Sequence, residues 1–509
     1  MELHQDVFEP ISHTGRNPLR LRPGLILSGA GQCAESAFAM TIALGNEYKP
    51  VLIALYESLN EKGYQPNASV MEAPHLFPGA ILQVGLQLPL FSPHGLLAIG
   101  NGEYDAQIKR MAVRYASLHC PVLMRIGYEF DGEAWNGYEP KAYIAAYRRI
   151  AMGLKSAANV ALVWDSYTTG TQNVMDWYPG DDVVDWFGYN TMSPKFDCGR
   201  MLALAQEHGK PLLNGEASYA MDADNYPFSR WTDEYFRSMR AHHVQAFQYI
   251  NWRWQVYPRC ANWYDWQDGR ITEDTGKMAA YQAAMKGPDL VVRGIGYAQP
   301  VRLVVDCGRA IQEGTPFAPW KPGDDFVTAQ KGYGVFAEGA QTTYGSGWLC
   351  GWVGKKMTLH VSTPENFSGA LLLKPLAGDS MRFRINDTEV AWQAENGFVR
   401  IHDLEPCDTV VFLSGIGEEN VALDLIALLA YAPEMPSVSG LSIKDGTLSW
   451  IEVEGAACYS VYAGGTLVGR TKTNQFSLPF PAVCVSVSVF DSHLGEGKPA
   501  HLRVEENHE

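Results

Sequence analysis

Glu129, in Pro121–Trp135 (PVLMRIGYEFDGEAW), and Glu216, in Lys210–Ser218 (KPLLNGEAS), each follow directly on a short apolar run. A solvent-facing carboxylate belongs on a polar face, whereas these two come straight after MRIGY and LLNG. Desolvation in such a place raises one carboxyl so that it stays protonated at neutral pH and can act as an acid. Arg125 and Tyr189 are the candidates for holding the other in its ionised form. Two carboxyls presented by the ends of two strands, one as acid/base and one as nucleophile, are the requirement for cleaving a bond between sugars with retention of configuration.

These carboxyls need elements to carry them. Short apolar runs alternate with amphipathic stretches from residue 20 to 288. Strands are expected at Gly24–Ala30, Val51–Leu55, Ala80–Leu86, Val122–Gly127, Val160–Trp164, Val183–Gly188, Pro211–Leu213 and Val244–Ile250. Between them lie helical patterns. Tyr104–Leu118 puts Ile108, Met111, Ala112, Tyr115 and Leu118 on one face, and a helix opening at Pro140 does the same with Tyr143, Ile144, Tyr147, Ile150 and Leu154. Further helices are expected around Glu35–Leu44, Met201–His208, Trp231–His242 and Lys277–Met285.

Eight strands separated by helices over about 270 residues fit a (β/α)8 barrel. The rival, a doubly wound sheet, calls for a glycine-rich phosphate turn after the first strand, and Gly29-Ala30-Gly31 is not the full pattern.

In a barrel of this kind the chemistry sits where strands end. Those ends carry Arg125, Tyr128, Glu129, Asp131 and Trp135, then Asp165 and Tyr167, then Tyr189 and Asn190, then Asn214 and Glu216, then Asn251, Trp252 and Trp254. Carboxylates, amides and an arginine suit sugar hydroxyls, and rings suit the C–H faces of sugars. Arg125, Tyr128, Asp131, Trp135, Asp165, Tyr189, Asn251, Trp252 and Trp254 are therefore expected to bind substrate, with Asp265 a further carboxylate of the same kind.

The chain of 509 residues is long enough for two or three domains. Aromatics reach 12% and charged residues only 19%, a balance that suits both sugar-stacking platforms and a large aromatic core. A formal charge of −16 argues against nucleic acid and anionic membrane as partners. Nine cysteines scattered singly read as reduced thiols, and the opening MELHQDVFEP has neither a basic nor an apolar leader region, so a cytoplasmic location is expected. Nothing in the pattern calls for a metal or a cofactor.

Arg125-Ile-Gly-Tyr-Glu129-Phe-Asp-Gly132 with Trp135 resembles the strand-four motif of glycoside hydrolase family 26, the β-mannanase family of clan A. Trp177 through Gly188 (WYPGDDVVDWFG) is similar to the family's segment entering strand six, and Lys210–Glu216 to its strand-seven nucleophile segment. Trp252 corresponds to the strand-eight tryptophan that floors the cleavage subsite. The resemblance spans about residues 20–288 and implies a retaining mechanism with Glu129 as acid/base and Glu216 as nucleophile.

The chain departs from the family in three places. Tyr128 stands where it has His, Asp131 where it has Asn, and Ala217-Ser218 where it has Gly. These positions surround the cleavage subsite and count against mannan, leaving a divergent relative acting on another β-linked glycan.

After Pro300 the pattern changes to short strands punctuated by Gly, Pro and Asn. The expected organisation is a (β/α)8 TIM barrel over 1–295, a β-sandwich accessory domain over 296–432 and a fibronectin type III-like domain over 433–509. Trp320, Trp348, Trp352 and Trp392 are candidates for a sugar platform or for core. Besides a retaining hydrolase of an oligo- or polysaccharide, three other functions are compatible with the sequence. They are a glycan-binding protein on a decayed barrel, an inverting hydrolase and a transglycosidase using the same carboxyls.

Overall fold

The computed structural model describes residues 7–9, 19–167, 173–192, 199–219, 226–252, 254, 268–287, 289, 300–307, 327–339, 341–344, 350–376, 380–393, 397–417, 419–480, 482–491 and 494–504. The chain packs as two units: Met1–Val70, Ala80–Gln255 and Cys260–Gly296 form one, and Met71–Gly79, Val256–Arg259 and Tyr297–Glu509 the other.

In the first unit, strands β1 (Leu27–Gly31), β2 (Leu52–Asn60), β4 (Ile81–Gln87), β5 (Val122–Ile126), β6 (Val160–Ser166), β7 (Trp186–Thr191), β8 (Leu212–Ala217) and β9 (Ala246–Ile250) run parallel in that spatial order. β1 pairs with both β2 and β9, which closes the sheet into an eight-stranded barrel and removes its edges. A short β3 (Gly63–Gln65) lies antiparallel on the far end of β2.

Around the strands run α1 (Ala34–Tyr48), α3 (Pro93–Gly100), α4 (Asp105–Ala116), α5 (Pro140–Gly153), α6 (Gly199–Glu207), α7 (Phe228–Ala241) and α8 (Thr275–Ala284), while α2 (Ala68–Leu76) belongs from Met71 on to the second unit. They form where the sequence supplies a stripe and a cap. Pro140 opens α5, and the Glu139 side chain accepts from Ala142 N at 2.9 Å. α7 buries Phe228, Trp231, Tyr235, Phe236 and Met239, with the Trp231 and Tyr235 rings stacked 4.7 Å apart. Truncating Trp231 to Ala would cost about 3–5 kcal/mol.

Several strands differ from the sequence reading in one direction. β2 continues from Leu55 to Asn60, β6 from Trp164 to Ser166, and β8 from Leu213 to Ala217. β7 starts only at Trp186, because Val183 and Val184 turn back on the carbonyl of Gly180, and it runs on to Thr191. An apolar run stops at the first polar residue. A barrel strand continues, because polar side chains there find partners across the barrel mouth.

The second unit is built of antiparallel sheets around two apolar clusters. One holds Leu303, Leu359, Phe383, Trp392, Leu413 and Leu428, the other Leu448, Trp450, Tyr459, Val461 and Val487. Trp392 is thus core, its indole N–H donating to Gly397 O at 2.6 Å. Trp320 and Trp348 lie outside the described residues, as does Asp265. Strand Val399–Ile401 joins Thr466–Thr471 through the single pair Val399–Thr466.

Met71–Gly79, which the sequence reading placed within the barrel domain, packs with this second unit. Glu72 and Arg400 form an ion pair there with both side chains 1% exposed. His75 meets Ser460 Oγ at 2.7 Å, and Tyr462 donates its hydroxyl to Glu496.

Candidate active site

The site is assembled from the carboxyl ends of β2, β5, β6, β7 and β8, with the β5 loop. Arg125, the fourth residue of β5, is fully buried inside the barrel. A buried guanidinium demands anionic partners. Its Nη1 donates to Asp165 Oδ2 at 3.0 Å and to Asn190 Oδ1 at 3.3 Å, and its Nη2 donates to Glu216 Oε1 at 2.8 Å. Tyr56, near the middle of β2, donates its hydroxyl to the same Glu216 oxygen at 2.8 Å. Burial, then the nearby Glu216, raise the Tyr56 phenol, so it remains a donor. Both of these bonds to Glu216 fall on Oε1.

The local backbone is shaped for this. Register shifts fall between Tyr189 and Asn190 where β7 meets β8, and between Asn214 and Ala217 where β8 meets β9, so Glu216 sits within an irregular stretch that re-aims its side chain. Gly215 precedes it for a steric reason. A Cβ there would lie 2.6 Å from Asn190 Oδ1 and 2.8 Å from Arg125 Nη1.

Glu129 lies past the end of β5, in the left-handed region at φ 53°. A non-glycine residue held there carries about 1 kcal/mol or more of strain, and such residues cluster at functional sites. Its carbonyl is fixed by Asn136 Nδ2 at 2.7 Å. Its carboxyl accepts from Asn190 Nδ2 at 3.0 Å and from the Trp135 indole N–H at 2.7 Å. Burial and the neighbouring Glu216 push the Glu129 carboxyl up to about 8, against the pull of the Asn190 hydrogen bond. Asp165 is also driven up, to about 7, by burial against the pull of Arg125. One guanidinium thus serves Asp165 and Glu216 directly, while Glu129 has no such ion pair in the described network. The two glutamates are therefore unlike: Glu216 is ion-paired to Arg125, whereas burial and the Glu216 charge favour the protonated form of Glu129.

The remaining expected site residues divide into two groups. Tyr128 is half-buried beneath the cluster, with the Arg125 guanidinium 5.0 Å from its ring and the Tyr56 ring 5.4 Å away, edge-on. Trp135 meets the Tyr167 ring edge-on at 4.5 Å and joins Glu129 directly. Asp165 is at the centre.

The others brace the mouth. Asp131 accepts from Ser166 Oγ at 2.7 Å and from Tyr167 N at 2.6 Å, tying the β5 loop to the end of β6. Asn251 accepts from Ile271 N at 2.8 Å and donates to Thr272 Oγ1 at 3.1 Å. The buried Trp254 donates to Ser218 Oγ at 3.1 Å. The carbonyl of Tyr189 accepts from Asn214 Nδ2 at 3.1 Å, and that of Trp252 from Gly269 N at 3.0 Å. Neither bond joins the carboxyl cluster.

Sequence reading missed Tyr56, Asn136 and the bridging role of Asn190. Tyr56 is the residue immediately after the expected end of the second strand, so a strand allowed to run into its first polar residues would have exposed it.

No family model matches the chain. Over 277 residues it is 28% identical to a β-1,3-xylanase of an Alcaligenes species, covering 47% of this chain and 58% of that protein. Over 291 residues it is 27% identical to the β-1,3-xylanase TXYA of a Vibrio species, covering 48% of this chain and 61% of that protein. The chain thus spans about three fifths of the length of these curated relatives. Among solved structures it aligns with a mannanase of Bacillus subtilis at 15% identity and a TM-score of 0.40, over 54% of this chain and 90% of that one. It also aligns with a family 26 β-mannanase of Bacteroides ovatus at 14% identity and a TM-score of 0.38, over 53% of this chain and 91% of that one.

Proposed function

We propose that the protein is a retaining glycoside hydrolase of β-linked glycans, with Glu129 as acid/base and Glu216 as nucleophile. The observation that carries this reading is the asymmetry of the two carboxyls. Glu216 is ion-paired to Arg125 and hydrogen-bonded by Tyr56, and burial and the Glu216 charge favour a proton on Glu129.

In the first step Glu216 Oε2 attacks the anomeric carbon while the Glu129 carboxyl gives its proton to the glycosidic oxygen. The C–O bond breaks, the aglycone leaves as an alcohol, and the sugar is esterified to Glu216. In the second step the Glu129 carboxylate takes a proton from water, whose oxygen attacks the same carbon and releases Glu216. Trp135 and Asn190 keep the Glu129 carboxyl in place through both steps.

We infer β-1,3-linked xylan as the first substrate to try, since both curated relatives are β-1,3-xylanases. Tyr128, Asp131 and Ala217, where the chain departs from the mannanase-like motif, line or brace the same mouth. We read residues 433–509 as a fibronectin type III-like module of mechanical role, on the strength of the Trp450 and Tyr459 rings packed 5.1 Å apart in its core.

The test is product release from β-1,3-xylan, β-1,4-mannan and aryl β-glycosides, with the anomer formed first read by proton NMR. The β anomer is expected first from the unmodified protein. Glu129→Gln and Glu216→Gln are each expected to lose about 10⁴-fold or more in rate on the glycans. Activity that survives Glu216→Gln, or an α anomer formed first, would overturn the assignment.

A further inference from the structure

The loop after β4 carries Phe91, which is 61% exposed and held at φ 51°. Leaving a phenyl ring in water forgoes the gain of burying it, and the left-handed backbone adds strain. The loop is nonetheless fixed at three points. Leu88 N donates to the Tyr138 hydroxyl at 3.1 Å. Phe91 N donates to Asn136 O at 2.9 Å. Ser92 Oγ donates to Glu61 Oε1 at 2.6 Å and also accepts from Gly95 N, capping α3.

The Phe91 ring rests against Gly137, where a Cβ would come within 2.4 Å of it. Gly137 and Asn136 directly follow Trp135, which holds the Glu129 carboxyl. The exposed ring thus packs on the loop whose Trp135 holds the Glu129 carboxyl. An exposed apolar ring held in a fixed loop suits the C–H face of a pyranose.

We propose that Phe91 is the stacking platform of an outlying sugar subsite, so that the site takes a glycan chain several units long. The inference rests on the glycosidase reading above. Pre-ordering of the loop is what makes the ring useful, because the ordering cost is met on folding rather than on binding.

The test uses the full chain and a ladder of β-1,3-linked xylo-oligosaccharides from disaccharide to hexasaccharide, together with an aryl β-xyloside. Phe91→Ala is expected to lower kcat/KM about tenfold on the longest members and less than about twofold on the aryl glycoside, with Phe91→Trp restoring the difference. Binding of the same ladder is measured in the Glu216→Gln background with and without Phe91→Ala. A loss that is equal at every chain length, or no loss, overturns the subsite. A ladder bound through Phe91 but never cleaved by the unmodified protein leaves the subsite standing and removes the hydrolase reading. A ladder neither bound nor cleaved removes both.

Discussion

At the scale of single residues, the site works by giving two glutamates different neighbours. Arg125 and Tyr56 converge on one oxygen of Glu216, while Glu129 is desolvated and sits beside that negative charge. On the proposed reading the Glu129 carboxyl, pushed up to about 8, is the acid, so the rate is expected to fall as pH rises through about 8. A pH–rate profile of kcat/KM on the best substrate checks this.

The same shift has a stability consequence. A carboxyl raised in the folded state favours folding while protonated, so its contribution is present below about 4.5 and is lost as pH rises through about 8. Glu129→Gln removes that loss, and its denaturation midpoint is expected to gain on the unmodified protein across this window. Tyr56→Phe deletes one of the two donors to Glu216 and is expected to lower kcat about 10–100-fold with little change in KM. Steady-state kinetics of that variant separate a role in the reaction from one in ground-state binding.

At the scale of elements, the barrel places its polar groups by extending strands past their apolar runs and by clearing space with glycine. Gly215→Ala would drive a methyl group into Asn190, Arg125 and Asp165, with Asp165 Oδ1 already 3.0 Å from that point. A loss of about 1–3 kcal/mol is expected in denaturant unfolding, together with reduced activity as Arg125 is displaced.

Much of this architecture was legible in the sequence. Alternating apolar runs and amphipathic helices locate all eight parallel strands, and Glu129, Arg125, Asp165 and Glu216 fall at their ends as expected. What was not legible came from two physical causes. Tyr56 and Asn190, past the apolar starts of their strands, bond across the barrel, which a one-dimensional hydropathy pattern reads as a stop. Asp131, Asn251 and Trp254 also hold hydrogen bonds to Ser166, Ile271 and Ser218, and such pairings between loops cannot be read from residue type.

At the scale of the whole molecule, the second unit includes Met71–Gly79, a segment that the chain lays down long before the rest of that unit. Glu72 from this segment neutralises the buried Arg400, and His75 fills the neighbouring polar pocket with Ser460. Residues 297–509 expressed alone would leave Arg400 a buried cation without Glu72. That fragment is expected not to fold stably, and Arg400→Met and Glu72→Gln in the full chain are each expected to melt lower than the unmodified protein, since each leaves a buried partner unpaired. Circular dichroism melts of the three proteins decide it, and a cooperative transition in the fragment at the full-length temperature would refute it.

The central claim is the division of labour between Glu129 and Glu216. Its most direct test is trapping with a 2-deoxy-2-fluoro β-glycoside bearing a good leaving group, followed by peptide mass mapping. The fluorine slows both steps and the leaving group speeds the first, so a glycosyl ester should accumulate on the nucleophile. The label is expected on the peptide containing Glu216, with none on that containing Glu129. A label on Glu129, or no covalent adduct from a substrate that is turned over, would contradict it.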